Sequence, residues 1–190
     1  MNETELDLIK KLEKQAFHDG DGQKRLMPGS DFEVAKASFL KQFPIEIKSH
    51  PEYIIDSLES AYEKKDGVAI EHILFVAGVF GLYSVNFVDI LIKIISAPWH
   101  YLHEDIARIF EKLKNERAIE ALYKTATSYF KYLDFEGGHR MLAVQCIWSL
   151  GAIGTPEASE KIKQIGQMSN DPVVKERAEM QLRGDRGPML

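Results

Sequence analysis

The sequence is poor in cysteine, and this shortage excludes two kinds of site. One cysteine, Cys146, stands among 190 residues, so neither an intrachain disulfide nor a cysteine-ligated zinc site can form. A single thiol is typical of a reducing compartment. We therefore expect a cytoplasmic protein, and no residue pattern calls for a cofactor.

Charge of one sign is also lacking. The net charge is −5, from 24 basic and 29 acidic residues, and both signs are spread along the chain. A basic block would favour contact with a phosphate backbone. Because no such block stands out, the charge pattern argues against nucleic acid as a partner.

Long apolar runs are lacking as well. The most apolar segment, 67–97, is interrupted by Glu71, Asp89 and Lys93, and its longest uncharged run falls short of the roughly twenty residues of a membrane span. A helix that is apolar on all sides is typical of the middle layer of a helical stack. We interpret this segment as buried core and expect no membrane association. The N-terminal segment, MNETELDLIKKLEKQ, also lacks the apolar centre of a signal peptide.

Catalytic motifs are missing from the sequence. It contains no GxSxG nucleophile elbow, Walker A loop, GxGxxG turn or HExxH pair. Cys146 shares an apolar helical stripe with Leu142 and Leu150, which predicts a buried, inert thiol rather than a nucleophile. We expect a protein that is not an enzyme.

What the sequence does contain is a succession of helical patterns. The first third predicts an amphipathic helix over 3–17, a loop over 18–31, a helix over 31–42, and helices in pairs from residue 50 onward. Asp19 and Asp21 suggest a calcium loop, but Lys24 occupies the position where an EF-hand requires glycine. We therefore predict a mobile acidic loop there.

The clearest helical signals lie in residues 139–182. The helical pattern stops at Gly154 and near Asn170, and it restarts at Thr155-Pro156 and Asp171-Pro172. Thr and Asp cap helices by accepting from first-turn amides, and proline suits the first helical position. Apolar residues mark one face of each helix: Leu142, Cys146, Leu150 and Ile153, then Val174, Ala178 and Leu182.

The same pattern occurs about forty residues earlier. Leu102, Ile106 and Phe110 precede their equivalents Leu142, Cys146 and Leu150 by forty positions. Units of this length that cannot bury their own apolar face must stack on one another. The segment 130–138 is a longer connection between units, and such insertions are often used for binding.

The segments Ser149–Ala158 (SLGAIGTPEA) and Asp171–Ala178 (DPVVKERA) resemble the HEAT-type helical repeat, in the short bacterial form known from phycobilin lyases. The resemblance implies an all-α fold: an α-solenoid of about four stacked helix pairs with one or two extra N-terminal helices. We expect a single domain over 1–190. Its parts are N-terminal helices and a loop (1–48), HEAT-like helix pairs (50–183) and a flexible tail (184–190).

A metal site is one hypothesis for the histidines. His100 and His103 are one helical turn apart, next to Glu104, and His139 begins a later helix. The alternative is a helix N-terminus whose acidic residues complement the helix dipole. We favour the second interpretation and predict no metal ligand.

The resemblance also implies a binding face, because the second helix of each pair usually lines the concave side. The predicted partner-binding residues, which we call the strip, are Tyr101, Glu104, Arg108, Met141, Val144, Trp148, Val173, Glu176 and Met180. Large apolar groups with charges around them are typical of protein interfaces. The alternative is that Met141, Val144 and Trp148 pack against the preceding helix.

Our leading hypothesis is a non-enzymatic module for protein–protein interaction. Its more specific form, suggested by size and architecture, is an immunity protein or antitoxin that binds and blocks a toxin. The alternative is a HEAT-like enzyme or enzyme subunit, either an alkyl-purine DNA glycosylase or a chromophore lyase. An adaptor in a larger assembly is a third interpretation.

Overall fold

The computed structural model describes residues 1–20, 23–26 and 30–185, with side-chain positions outside 17–30. Helices build the fold, as the sequence predicts. Contacts between Cα atoms divide the chain into two compact units, Met1–Leu82 and Tyr83–Leu190.

The first unit contains α1 (Glu3–Ala16), β1 (Phe17–Gly20), β2 (Gln23–Leu26), α2 (Ser30–Gln42), α3 (Glu52–Glu63) and α4 (Gly67–Val79). Helix α1 packs against α2 and α4, and α4 packs against α3. The start of α1 is held by a reciprocal cap, in which the Glu5 carboxylate accepts from the Asn2 amide at 2.7 Å and the Asn2 side chain accepts from the Glu5 amide at 3.0 Å. The Tyr53 hydroxyl donates to the same carboxylate at 2.7 Å, which ties α1 to α3.

The antiparallel hairpin of β1 and β2 corrects the predicted loop over 18–31. Phe17 pairs with Leu26 and Gly20 with Gln23. The two residues between the strands are Asp-Gly in sequence, a dipeptide that favours tight hairpins. The Asp19 side chain and Asp21, to which the calcium hypothesis refers, lie outside the described part.

The second unit contains α5 (Val88–Ile95), α6 (His103–Leu113), α7 (Ile119–Thr127), α8 (Gly138–Ile153), α9 (Pro156–Met168) and α10 (Pro172–Leu182). The predicted caps are confirmed: Thr155 accepts from the Ala158 amide at 3.2 Å, and Asp171 accepts from the Val173 amide at 2.8 Å. Gly154, with φ of +74°, ends α8.

Alternate helices of this unit contact each other in two series. In one, the Thr125 hydroxyl of α7 donates to the Ile95 carbonyl of α5 at 3.4 Å, and Lys161 of α9 pairs with Glu120 of α7 at 2.7 Å. In the other, α8 packs against α6 and α10. Helix α8 also packs against α7 and α9, so it lies at the centre of the unit.

The apolar segment 67–97 forms α4 and α5, one in each unit, separated at Gly81 with φ of +65°. Ile70 and Val76 of α4 are fully buried, as are Leu91 and Ile94 of α5. The predicted core role of this segment is confirmed for most of its apolar side chains, whereas Val68 and Val85 are exposed. Among the described residues, none of the helices has the length and apolar character needed to span a membrane.

Candidate partner-binding surface

The predicted strip does not form one exposed surface. Tyr101, Arg108, Met141 and Glu176 are exposed, Glu104, Val173 and Met180 are half-buried, and Val144 and Trp148 are buried. A partner therefore has access to the edges of the strip and not to its centre.

The position of α8 explains why the centre of the strip is buried. Because α8 has α6, α7, α9 and α10 as neighbours, every residue from Leu142 to Leu150 is buried. Val144 and Trp148 therefore contribute to the core, which is the alternative interpretation of the sequence pattern.

Two charged residues of the strip also hold α6 against α8. Arg108 pairs with Glu104 one turn earlier and donates to the buried Gln145 amide oxygen at 3.2 Å. The Gln145 amide nitrogen in turn donates to Glu111 at 2.8 Å. Two polar side chains of the strip, Glu104 and Arg108, therefore already have partners within the fold.

His100 and His103 form a buried, stacked pair with ring centroids 4.2 Å apart. Each donates from Nε2 to a carbonyl, His100 to Ile94 at 2.6 Å and His103 to Ala97 at 3.0 Å. Each Nδ1 accepts, from the Leu102 amide at 3.0 Å and the Tyr132 hydroxyl at 2.8 Å. All four ring nitrogens therefore have hydrogen-bond partners within the fold.

Burial keeps both imidazoles neutral. It lowers the pKa of His100, and together with the neighbouring His100 ring it lowers the pKa of His103 to about 3. Burial likewise raises the pKa of Tyr132 to about 12, so the phenol remains a donor. Among the described residues, no group of three or more His, Cys, Asp or Glu side chains is placed to hold a metal.

This aromatic cluster anchors the connection between α7 and α8. Phe130 lies 3.9 Å from the His103 ring by centroids, and Tyr132 lies 5.1 Å from Tyr101. A Cβ on Gly138 would lie 2.5 Å from the Leu133 carbonyl and 2.9 Å from the Phe135 ring. The connection is therefore packed closely on the starts of α6 and α8.

Several exposed apolar side chains lie on this connection or on elements next to it. Tyr101 contacts Tyr132, Tyr129 and Met168 line one groove, and Met141 lies in the first turn of α8. We call the set the rim: Tyr101, Tyr129, Phe135, Met141 and Met168. Tyr129 is 69% exposed and Phe135 is 57% exposed. Single exposed apolar residues are ordinary on protein surfaces, but a gathered set indicates a binding surface. Tyr, Phe and Met are also the residue types enriched at interfaces.

A groove of about 300 Å³ adjoins the rim. Ala126, Ala143, Ile165 and Val174 contribute apolar lining, and Tyr129, His139 and Met168 also line it. The Tyr129 ring stacks on His139 with centroids 5.1 Å apart. The groove gives the rim a concave part next to its exposed rings.

Asp134 holds the groove's aromatic wall in place. It accepts from the Tyr129 hydroxyl and lies 3.3 Å from Nε2 of His139. The Tyr129 hydrogen bond, followed by the one from His139, lowers the pKa of Asp134. The carboxylate therefore stays ionised at neutral pH and orients both rings.

Cys146 is fully buried, and burial raises the pKa of its thiol. The thiolate is the reactive form of cysteine. This environment agrees with the inert thiol predicted from the apolar stripe.

Sequence reasoning missed Tyr129, Phe135, Met168 and the Tyr129–Asp134–His139 group. The length of the 130–138 connection did point to this region as a candidate for binding. Exposure of individual rings depends on how the connection folds back on α6, which no local pattern encodes. No family model matches the chain, and neither a curated protein nor a solved structure matches it.

Proposed function

We propose that this protein is a protein-binding module that contacts its partner through the rim and the adjoining groove. The observation that carries the proposal is that Tyr101, Tyr129, Phe135, Met141 and Met168 are exposed and lie on the connection, on the helix that follows it, or on a neighbouring ring or groove. Burying such side chains against a partner stabilises a complex by about 25 cal/mol per Å² of apolar surface removed from water. Anchoring of the connection by the buried His103 cluster reduces the entropy lost on binding.

A HEAT-like α-solenoid is the architecture that we propose for residues 83–190. Its support comes from the two series of contacts between alternate helices. Asp171, which caps α10, lies 2.8 Å from Arg140 of α8, and Lys161 of α9 lies 2.7 Å from Glu120 of α7. These partners are 31 and 41 residues apart in sequence. The separation of 41 is close to the forty-residue period of the apolar pattern, and that of 31 is close to the 32 residues between Leu142 and Val174.

The more specific form of the proposal is an immunity protein or antitoxin in the cytoplasm, which acts by covering a toxin. Blocking another protein needs a shaped surface and no catalytic group. A rim of aromatic and methionine side chains beside a groove supplies such a surface.

Quantitative affinity capture tests the proposal. The tagged wild-type chain is expected to retain a stoichiometric partner from its native cell. Phe135→Asp and Met141→Asp are expected to reduce that retention at least tenfold, because each places a charge in the contact surface. Val85→Asp is the matched control, since Val85 is exposed and lies outside the rim.

The proposal fails if retention of the partner is equal in the rim variants and in Val85→Asp. Circular dichroism is expected to show the same helical content in all variants, since the substituted side chains are exposed. For the immunity proposal, co-expression of the wild-type chain should restore growth to cells that produce the captured partner. Restored growth with Phe135→Asp would contradict the role of the rim.

A further inference from the structure

Helix α10, which packs against α8 and α9, carries a buried cation without a partner. Arg177 of α10 is 8% exposed. Within the described part of the chain, its Nε and Nη1 atoms have no hydrogen-bond partner. Arginine stays charged at all ordinary pH values, and a buried unpaired charge is costly. An anion that reached this side chain would therefore gain much of its binding energy from relieving that cost.

The neighbouring carboxylate, that of Asp171, already has hydrogen-bond and ion-pair partners. Asp171 pairs through Oδ2 with Arg140 at 2.8 Å, and its Oδ1 accepts from the amides of Val173 and Val174. Its carboxylate caps α10 and ties it to α8. Arg177 lies almost two turns further along α10, so this cap does not neutralise it.

A second donor lies one turn beyond Arg177. Residues four apart on a helix are neighbours on its surface, so Gln181 lies on the same face of α10 as Arg177. The Gln181 side chain lies over Gly151 of α8, where a Cβ would overlap its amide. The absence of a side chain at Gly151 thus gives the Gln181 amide its place at the interface.

We propose that Arg177 and Gln181 bind a carboxylate that a partner protein inserts at the edge of the α8–α10 interface. This inference rests on the proposed function. The planar donors of a guanidinium match the two oxygens of a carboxylate. Glu176 and Glu179 flank Arg177 in sequence, and they repel a doubly charged phosphate more strongly than a carboxylate.

The position of the site agrees with the rim. Val174 lines the groove beside Tyr129 and Met168, and Arg177 follows Val174 by one turn of α10. A partner seated on the rim therefore has the edge of α10 next to its contact surface. The aromatic contacts would supply apolar burial, and the carboxylate would fix orientation.

Nuclear magnetic resonance of the full chain labelled with ¹⁵N-arginine tests the site without a partner. Sodium acetate is titrated against sodium chloride at equal ionic strength, and the Nε–Hε signal of Arg177 is assigned by its loss in Arg177→Leu. Acetate is expected to shift the Arg177 signal saturably and more than the signals of Arg108 and Arg183. Equal shifts at all arginines would overturn the site. A tighter response to inorganic phosphate than to acetate would overturn the choice of a carboxylate.

Thermal unfolding gives a second readout. Acetate is expected to raise the midpoint of the wild type above its value in chloride, because a ligand that binds the folded state stabilises it. Arg177→Leu is expected to fold, since it replaces an unpaired charge by an apolar group, and to lose this increment. Gln181→Leu keeps the charge and should reduce the acetate affinity several-fold. Retention of the full increment in Arg177→Leu would show that Arg177 is a structural cation.

Affinity for the captured partner separates this proposal from the proposed function. Arg177→Leu is expected to weaken it by about ten- to a hundredfold, the size of a hydrogen bond to a charged group. Phe135→Asp should lose the partner and keep the acetate response. An acetate response combined with unchanged partner affinity in Arg177→Leu would overturn the carboxylate contact and leave the rim proposal standing.

Discussion

At the stacked rings of His100 and His103, hydrogen bonds fix which nitrogen carries the proton. The carbonyls of Ile94 and Ala97 accept from Nε2, so Nδ1 of each ring is left to accept. Tyr132 supplies the donor to His103 at 2.8 Å. One phenol from the connection thus completes a polar pair in the core and holds the connection on α6.

Removal of that phenolic hydroxyl is expected to destabilise the fold. Tyr132→Phe leaves Nδ1 of the buried His103 without its donor, which costs about 1–3 kcal/mol in the free energy of unfolding. Urea denaturation followed by circular dichroism measures this cost. Tyr101→Phe is the matched control, since it removes a hydroxyl from an exposed ring. Equal effects of the two substitutions would contradict the role of Tyr132.

Acid is expected to weaken the fold through His103. Its folded-state pKa of about 3 lies below the ordinary value of 6.5, so the unfolded chain takes up the proton first as pH falls. The stability is complete above about pH 6.5, declines as pH falls toward 3, and is lost below that value. Urea denaturation of wild type and His103→Gln at pH 7, 5.5 and 4.5 should show a steeper decline for the wild type. Parallel declines would mean that His103 is not buried as a neutral ring.

At the scale of elements, two glycines of α8 have opposite roles. A Cβ at Gly138 would meet the Leu133 backbone carbonyl at 2.5 Å, which the anchored connection cannot move aside without cost. At Gly151 the obstacle is the Gln181 side chain, which can rotate away. Both glycines lie in a helix, where alanine is otherwise preferred by about 0.5–1 kcal/mol.

We therefore expect Gly138→Ala to destabilise the protein by about 1–3 kcal/mol through overpacking. Gly151→Ala should lie within about 1 kcal/mol of the wild type, because helix propensity offsets the movement of Gln181. Thermal unfolding of the two variants side by side measures the contrast. A smaller loss for Gly138→Ala than for Gly151→Ala would contradict the close packing of the connection.

The elements that sequence patterns predicted well are those whose cause is local. Thr155 and Asp171 cap helices because of their own side chains and the prolines that follow. The burial of Trp148 has no local cause, because it depends on the four helices that pack around α8. The exposure of the Tyr129 and Phe135 rings likewise depends on how the connection folds. That fold includes the contact between Tyr132 and His103, which no spacing in the sequence predicts. The hairpin of β1 and β2 did have a local signal, the Asp-Gly dipeptide, which the charged composition of the segment obscured.

At the scale of the molecule, the core and the candidate surface have separate roles. The second unit buries Trp148, Cys146 and the histidine pair, and it exposes aromatic and methionine side chains around the connection that those buried groups hold in place. A rigid scaffold that presents apolar side chains beside a groove is suited to binding another protein. The proposed binding function depends on this arrangement.

Hydrogen–deuterium exchange of the complex with its captured partner tests that function most directly. We expect amides of residues 128–141 to become protected in the complex, together with those around Met168, while α3 in the first unit is unchanged. Protection confined to the first unit, with residues 128–141 exchanging as in the free chain, would contradict it.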